Sequence, residues 1–208
     1  EKIDSSSPLR RVAFRVALAV GRSRNLHYIR LGLPVPKFLE WRYRFCDRNI
    51  FRPIRRAMGV DRGKMFPTAG APIGDTVNEF FHAIGVNILV GYGLSETTAT
   101  VSCYPETGYC IGSVGLPLSG IEVRVDQQTL EVQVKSPTVM KGYWNKPEET
   151  EAAFTADGWF RTGDAGRIDE NGAIWITDRI KDLIKTSNGK YIAPQALESL
   201  LTEDRFIE

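Results

Sequence analysis

Over the first fifth of the chain, apolar residues fall three or four apart: Leu9, Val12, Ala13, Val16, Ala17 and Val20, with Arg10, Arg11 and Arg15 between them. That period predicts an amphipathic helix from Leu9 to Val20, entered through Ser5-Ser6-Ser7-Pro8 and stopped at Gly21. Gly32-Leu33-Pro34-Val35-Pro36 breaks the pattern. A second helical stretch, roughly Lys37 to Met58, carries Trp41, Tyr43, Phe45 and Phe51 among arginines, with Pro53 splitting it in two. Next come a short strand at Lys64-Met65-Phe66, a turn at Gly70-Ala71-Pro72 and a helix from Asp75 to about Ile84. Val86-Asn87-Ile88-Leu89-Val90, bounded by Gly85 and Gly91, reads as a buried strand. Strand, helix and strand in that order predict a parallel β-α-β unit. From Gly112 the runs shorten and alternate: Glu122 to Val125, Glu131 to Val134, and Ala173 to Thr177, punctuated by Gly and Pro. They predict a small antiparallel or barrel-like β region. Asp169-Glu170-Asn171-Gly172 reads as an exposed turn, and Ser187-Asn188-Gly189-Lys190 as the turn of a hairpin between Leu183-Ile184-Lys185-Thr186 and Tyr191-Ile192. The fold class is α/β, in four segments: 1–63 helical and basic, 64–110 α/β, 111–180 β, and 181–208.

Composition narrows the class. With 208 residues, 42% of them hydrophobic and 25% charged, the chain reads as an ordinary globular protein of one domain, or one and a piece. No run of 18 apolar residues occurs, and the first residues lack the plan of a signal peptide, so the expected location is cytoplasmic. Cys46, Cys103 and Cys110 are odd in number and form no Cys-x-x-Cys pair, which fits free thiols rather than a disulfide frame or a zinc site. Of the two histidines, His82 lies beside Phe80 and Phe81 in a predicted helix and reads as structural.

Net charge is only +2, but it is unevenly spread. Up to Lys64 there are 16 Lys and Arg against 5 Asp and Glu; from Met65 onward, 11 against 20. The basic part points to an anionic partner. Its helices suit a membrane surface, or a core packed on one face with the arginines solvated, and most amphipathic helices take the second course.

The chemistry gathers in Gly91-Tyr92-Gly93-Leu94-Ser95-Glu96-Thr97, which follows the predicted buried strand. Open α/β sheets bind ligands at the carboxyl ends of their strands. Gly91 and Gly93 let the backbone turn and approach a ligand; Tyr92 offers a flat face, Ser95 a hydroxyl, and Glu96 a hard oxygen for Mg²⁺. By itself, this stretch is equally a strand followed by a Gly-rich turn.

The segment resembles the Tyr-Gly-x-Thr-Glu motif of the adenylate-forming enzymes, with Ser95 in place of the usual threonine. Further matches follow in the family's order: Gly70-Ala71-Pro72, Lys141-Gly142-Tyr143-Trp144, Gly158-Trp159-Phe160-Arg161-Thr162-Gly163-Asp164, and Asp178-Arg179-Ile180-Lys181-Asp182. The long-chain fatty acyl-CoA synthetases are the most similar branch, through Thr138-Val139-Met140-Lys141-Gly142-Tyr143 and the run from Asp182 to Pro194. Where Leu130-Glu131 stands, the family carries Gly-Glu after a longer turn.

The resemblance implies part of a large N-terminal domain and the start of a small C-terminal α+β domain. It implies a two-step reaction: a carboxylate attacks the α-phosphate of ATP to give an acyl adenylate and pyrophosphate, and a thiol then displaces AMP. Tyr92 would stack on adenine, Ser95 hold the α-phosphate and Glu96 bind Mg²⁺. Asp164 would accept both ribose hydroxyls, Arg179 support the ribose or phosphate, and Gly70, Ala71 and Pro72 line the adenine and acyl pocket. Lys181 would be the hinge, Lys190 a candidate contact for a coenzyme A phosphate or a solvated turn residue, and Trp144 and Trp159 packing residues. The implied partners are fatty acid, ATP, Mg²⁺ and coenzyme A, with peripheral membrane contact through the basic helices left open and no nucleic acid. The family's phosphate loop and distal lysine have no counterpart in this sequence. Glu1 is not an initiator, and Pro194 to Glu208 reads as a helix cut short, so the chain is expected to be a central and C-terminal fragment, inactive alone. Two other readings stand beside the CoA ligase: a ligase loading a carrier-protein thiol, and a non-catalytic relative that binds nucleotide or acyl adenylate.

Overall fold

The computed structural model describes residues 7–185 and, beyond them, Tyr191, Ile192, Pro194, Glu198 and Leu201. The chain divides into two compact units, Glu1–Leu89 with Pro105–Ile111, and Val90–Tyr104 with Gly112–Glu208.

The first unit is mostly helical. Helix α1 (Pro8–Arg24) starts where Pro8 fixes the first turn, and it buries Ala17, Val20 and Gly21. Gly21 was expected to stop this helix and instead lies inside it. A Cβ there would collide with the carbonyl of Ala83 and lie 3.3 Å from the Phe51 ring, so the missing side chain is a packing device. The chain stays helical through one wide turn, Asn25–Ile29. The Asn25 amide donates to the carbonyls of His82 (2.8 Å) and Ala83 (3.3 Å), which closes the C-terminal end of helix α4 (Asp75–Ala83).

Helix α2 (Lys37–Cys46) runs through a second wide turn, Asp47–Phe51, into α3 (Arg52–Ala57). Two α-helices thus meet just before Pro53, as expected, but the chain between them stays helical. Arg52 donates its N–H to the carbonyl of Asp47, five residues back, and this wider turn keeps the chain helical at a proline that has no N–H to give. Phe51 and Ile84 are fully buried, with Leu26, Tyr43, Ala83 and Val86 also buried. Burying a side chain the size of Phe51 contributes roughly 1.5–3 kcal/mol. The outer faces of α1 and α2 are different: Leu9, Val12, Val16, Phe38, Trp41 and Phe45 are all exposed. No described helix is long and apolar enough to cross a membrane.

Strand β1 (Phe66–Thr68) neighbours β2 (Ile88–Tyr92), and Phe66 N–H donates to the carbonyl of Asn87. The chain passes from the first unit to the second along β2. In the second unit, β3 (Ser102–Cys103) pairs antiparallel with β2, and β4 (Leu116–Pro117) with β3. The predicted antiparallel region is a four-stranded sheet in sequence order: β5 (Glu122–Val125), β6 (Glu131–Lys135), β7 (Phe160–Ile168) and β8 (Ile174–Arg179). Val132, Val134, Phe160 and Ile174 form its core. Helix α5 (Pro147–Ala152) precedes β7.

Strand β7 was not anticipated. Phe160-Arg161-Thr162-Gly163-Asp164-Ala165-Gly166-Arg167-Ile168 has two glycines, three charges and no alternation, and is held as a strand by neighbours on both sides. Beyond it, β9 (Ile184–Lys185) and β10 (Tyr191–Ile192) pair antiparallel as the predicted hairpin requires. The turn at Ser187 to Lys190 and most of the helix from Pro194 lie outside the described residues.

Candidate nucleotide site

Tyr92, the last residue of β2, pairs with Ser102 and accepts the N–H of Val101 on its carbonyl (2.7 Å). The loop that follows is tied by Thr97, which is fully buried. Its hydroxyl accepts the Leu94 N–H and donates to the Leu94 carbonyl, each at 3.0 Å. This fixes Ser95 and Glu96 between two anchored ends. Thr98 and Ala99 then adopt left-handed backbone at φ of 55° and 75°. Left-handed backbone costs about 1–2 kcal/mol for each such residue. The Ala99 N–H to the Leu94 carbonyl (3.1 Å) and the Thr98 hydroxyl to the Thr138 carbonyl (2.7 Å) offset that cost. The Ala99 carbonyl comes against Gly93 where a Cβ would stand, so the turn closes only on glycine.

Ser95 is exposed and its hydroxyl has no hydrogen bond among the described residues. The Glu96 carbonyl accepts the Met140 N–H (2.7 Å), and its carboxylate Oε1 accepts the Tyr143 hydroxyl (2.9 Å). Tyr143 thus aims Glu96. Burial first, then the hydrogen bond to Glu96, raises the phenol's pKa. The other carboxylate oxygen has no hydrogen bond among the described residues. Magnesium commonly takes one or two carboxylates and fills its shell with phosphate oxygens and water. Glu96 fits that part, and no group of three or more His, Cys, Asp or Glu among the described residues forms a cage of its own.

Asp164 lies on β7 opposite Arg179 of β8, and only 4% of it is exposed. The Tyr92 hydroxyl donates to Oδ2 (2.5 Å) and the Arg179 Nε lies 2.9 Å from Oδ1. Burial, the largest influence, raises the Asp164 pKa; the Tyr92 bond and the Arg179 charge oppose it, and the charge of Glu131 adds to the rise. The Tyr92 phenol is raised far above its ordinary range by burial and by Asp164, so it stays a donor. Each Asp164 oxygen keeps a lone pair, enough to accept a vicinal diol.

A bulge presents this carboxylate. Gln133 pairs with Arg161 and Glu131 with Ala165, so Val132 faces the three residues Thr162, Gly163 and Asp164. Side chains replace the missing ladder bonds. The Thr162 hydroxyl donates to the Val132 carbonyl (2.6 Å) and takes the Asp164 N–H (3.1 Å), while the Gly163 N–H donates to Glu131 Oε1 (3.1 Å). Bulges beside sites commonly re-aim a side chain in this way.

The structure therefore joins Tyr92, Asp164 and Arg179 in one hydrogen-bonded set, and Glu96 to Tyr143. Gly70, Ala71 and Pro72 form an exposed bend between β1 and α4 in the other unit. Lys181 is exposed in the short turn Ile180–Asp182 that follows Arg179. Trp144, read as a packing residue, is 89% exposed; Trp159 does pack, under Arg124 at 4.5 Å. Thr97, Tyr143 and Thr162 stand in the sequence motifs without an assigned role, and Glu131 only where the sequence departs from the family's pattern.

The sequence pattern of the AMP-binding enzymes matches residues 35–144, more than half of the chain. The chain belongs to the AMP-binding enzyme family. Among the relatives of this family member, the long-chain-fatty-acid–CoA ligase FadD15 of Mycobacterium bovis is 39% identical over 163 residues, 78% of this chain and 27% of the relative. The long-chain-fatty-acid–CoA ligase ACSBG2 of Mus musculus is 31% identical over 207 residues, 98% of this chain and 30% of its own length. The chain thus spans between a quarter and a third of these relatives. Among solved structures, the o-succinylbenzoate coenzyme A synthetase of Bacillus subtilis, in complex with ATP and magnesium ion, superposes with a TM-score of 0.61 at 30% identity, covering 66% of this chain and 31% of that one. ATP-bound MatB of Rhodopseudomonas palustris gives 0.61 at 35%, covering 68% and 30%.

Proposed function

We propose that the protein containing this chain is an AMP-forming ligase that activates long-chain fatty acids with ATP and transfers the acyl group to coenzyme A. The observation that carries the reading is the set Tyr92, Asp164 and Arg179, residues of the second unit that β2, β7 and β8 bring together around a buried carboxylate with lone pairs to spare. Its support from outside is the run of relatives named as long-chain-fatty-acid–CoA ligases.

In this reading the Tyr92 ring stacks on adenine while its hydroxyl holds Asp164 in place. Asp164 accepts the two ribose hydroxyls, and Arg179, half exposed, neutralises it and reaches toward the ribose or phosphate. The free hydroxyl of Ser95 donates to the α-phosphate. Glu96, aimed by Tyr143, is the carboxylate that would hold magnesium, which supplies positive charge against the phosphates. Positioning and electrostatic stabilisation dominate such transfers, so a tied loop and a fixed carboxylate are the contribution expected of this part of the chain. Lys181, just past Arg179, is the hinge residue, exposed where a backbone rotation uncovers no apolar surface.

The membrane is the second partner proposed. Phe38, Trp41 and Phe45, each about two-thirds exposed, fall on one face of α2 among the exposed Arg42, Arg44 and Arg48. Aromatic rings amid arginines suit an anionic lipid surface, where a long-chain fatty acid also dissolves.

A coupled assay of the full-length protein with ATP, coenzyme A and fatty acids of graded length tests the activity. Acyl-CoA formation from long-chain acids is expected. Loading of a carrier protein with coenzyme A inert would make it the carrier-loading ligase, and no pyrophosphate from any acid would make it a non-catalytic binder.

A further inference from the structure

The bulge in β7 rests on a buried carboxylate, that of Glu131. Glu131 opens β6 and is 6% exposed, unusual for a carboxylate, which is rarely buried without a partner. Its Oε1 accepts the Gly163 N–H at 3.1 Å and its Oε2 lies 3.4 Å from Arg161 Nη1. Gly163 has φ of +72°, and the next residue is Asp164. The Leu130 carbonyl, one residue earlier, accepts the Gly166 N–H at 2.9 Å. The start of β6 therefore grips β7 on both sides of Asp164, by a side chain before it and by backbone after it.

We infer that Glu131 is a positioning residue for nucleotide binding: its carboxylate holds the Gly163 peptide, and through that peptide sets the direction in which Asp164 presents its oxygens to the ribose. Glu131 touches no ligand in this scheme. Its length matters because the Gly163 N–H is the point of contact, and its charge matters less, since Arg161 at 3.4 Å is a loose and half-exposed counter-ion. The inference rests on the reading of Asp164 as the ribose-binding residue.

The test is calorimetric titration of the full-length enzyme with AMP. Glu131→Gln keeps an acceptor at the same reach without the charge. Glu131→Asp keeps the charge one methylene short of Gly163. Both are mild enough to leave a folded protein, which circular dichroism checks. Binding by Glu131→Gln within about threefold of the parent, and weaker by about tenfold in Glu131→Asp, is the expected pair, a tenfold loss being that of one hydrogen bond to a charged group. In turnover the KM for ATP should rise in Glu131→Asp with kcat changed less. The double variant Glu131→Asp, Asp164→Ala should bind AMP no more weakly than Asp164→Ala alone, because Glu131 acts through Asp164. Unchanged affinity in Glu131→Asp, equal losses in Gln and Asp, or additive losses in the double variant would each overturn the inference while leaving Asp164 in the site. Unchanged affinity in Asp164→Ala would overturn the inference and the site together.

Discussion

Removing the Tyr92 hydroxyl isolates one bond at the centre of the site. In Tyr92→Phe the ring remains and the 2.5 Å bond to Asp164 Oδ2 is lost. A hydrogen bond to a charged acceptor contributes about 1.5–3 kcal/mol, and a short O–H to carboxylate bond belongs at the strong end. Arg179 still pairs with Asp164, but its side chain is 51% exposed and replaces only part of the loss. The expected destabilisation is about 2 kcal/mol at neutral pH, measured as a shift in the urea midpoint at constant slope. The sign of its pH dependence follows from Asp164. Burial raises that carboxyl in the folded protein, and the Tyr92 bond opposes the rise. Deleting the hydroxyl therefore raises it further, so the variant suffers most where Asp164 is ionised. The cost should shrink as pH falls from neutral through the folded-state pKa values of Asp164 in the two proteins, both above the ordinary carboxylate value, because a protonated Asp164 draws little from the Tyr92 bond. A cost below about 0.5 kcal/mol, or one that is constant with pH, would refute the argument and reduce Tyr92 to a packing residue.

Three further expectations follow from other parts of the chain. Burial, with Arg30 adding and the Ile88 backbone opposing, depresses His82 from 6.5 to about 4, so the unfolded chain takes up the proton first. Stability should be insensitive to His82 above pH 6.5 and lower by about 2 kcal/mol at pH 5, a dependence that His82→Asn should remove; an unchanged acid slope in that variant would contradict the assignment. Leu130 holds φ of 60°, a left-handed conformation that glycine adopts freely, so Leu130→Gly should relieve the strain and stabilise the protein by up to about 1 kcal/mol; a loss of that size in urea unfolding would show that the side chain's packing outweighs the strain. Vesicles of phosphatidylserine and phosphatidylcholine should bind the full-length protein in a salt-sensitive way and blue-shift Trp41, with Phe38→Ser and Trp41→Ser abolishing binding; indifference to lipid charge, or an unshifted Trp41, would instead place that face against protein.

The elements most legible in the sequence are those whose pattern is local. The branched run before Tyr92, bounded by Gly85 and Gly91, becomes β2 with its strand shifted by two residues, and Asp75 to Ala83 forms the predicted helix. What escaped depends on distant neighbours. Gly21 looks like a stop until Ala83 is known to lie against it. Phe160–Ile168 carries no strand pattern of its own, because its strand is defined by β6 and β8 and is bulged at Asp164. Asp169 looks like a bare turn residue, yet its carboxylate takes the N–H groups of Asn171, Ala173 and the Trp175 indole. The alternation of Glu131 and Gln133 with Val132 and Val134 reads as a half-solvated strand and so hides Glu131, yet all four residues are buried. Within the site, the residues that present chemistry were visible in the motifs, whereas Thr97, Thr162 and Glu131, which hold them, needed their backbone partners to be seen.

The most direct test of the central claim compares Asp164→Ala with Glu170→Ala in the full-length enzyme, titrated calorimetrically with a non-hydrolysable acyl-adenylate analogue. Glu170 is the control because it is exposed in the turn after β7, whereas Asp169 holds that turn together. Asp164→Ala should lose at least about tenfold in affinity, one to two charge-assisted bonds, with the KM for ATP raised and that for fatty acid little changed. Glu170→Ala should match the parent. Equal affinities for the two variants would take Asp164 out of the site and contradict the account.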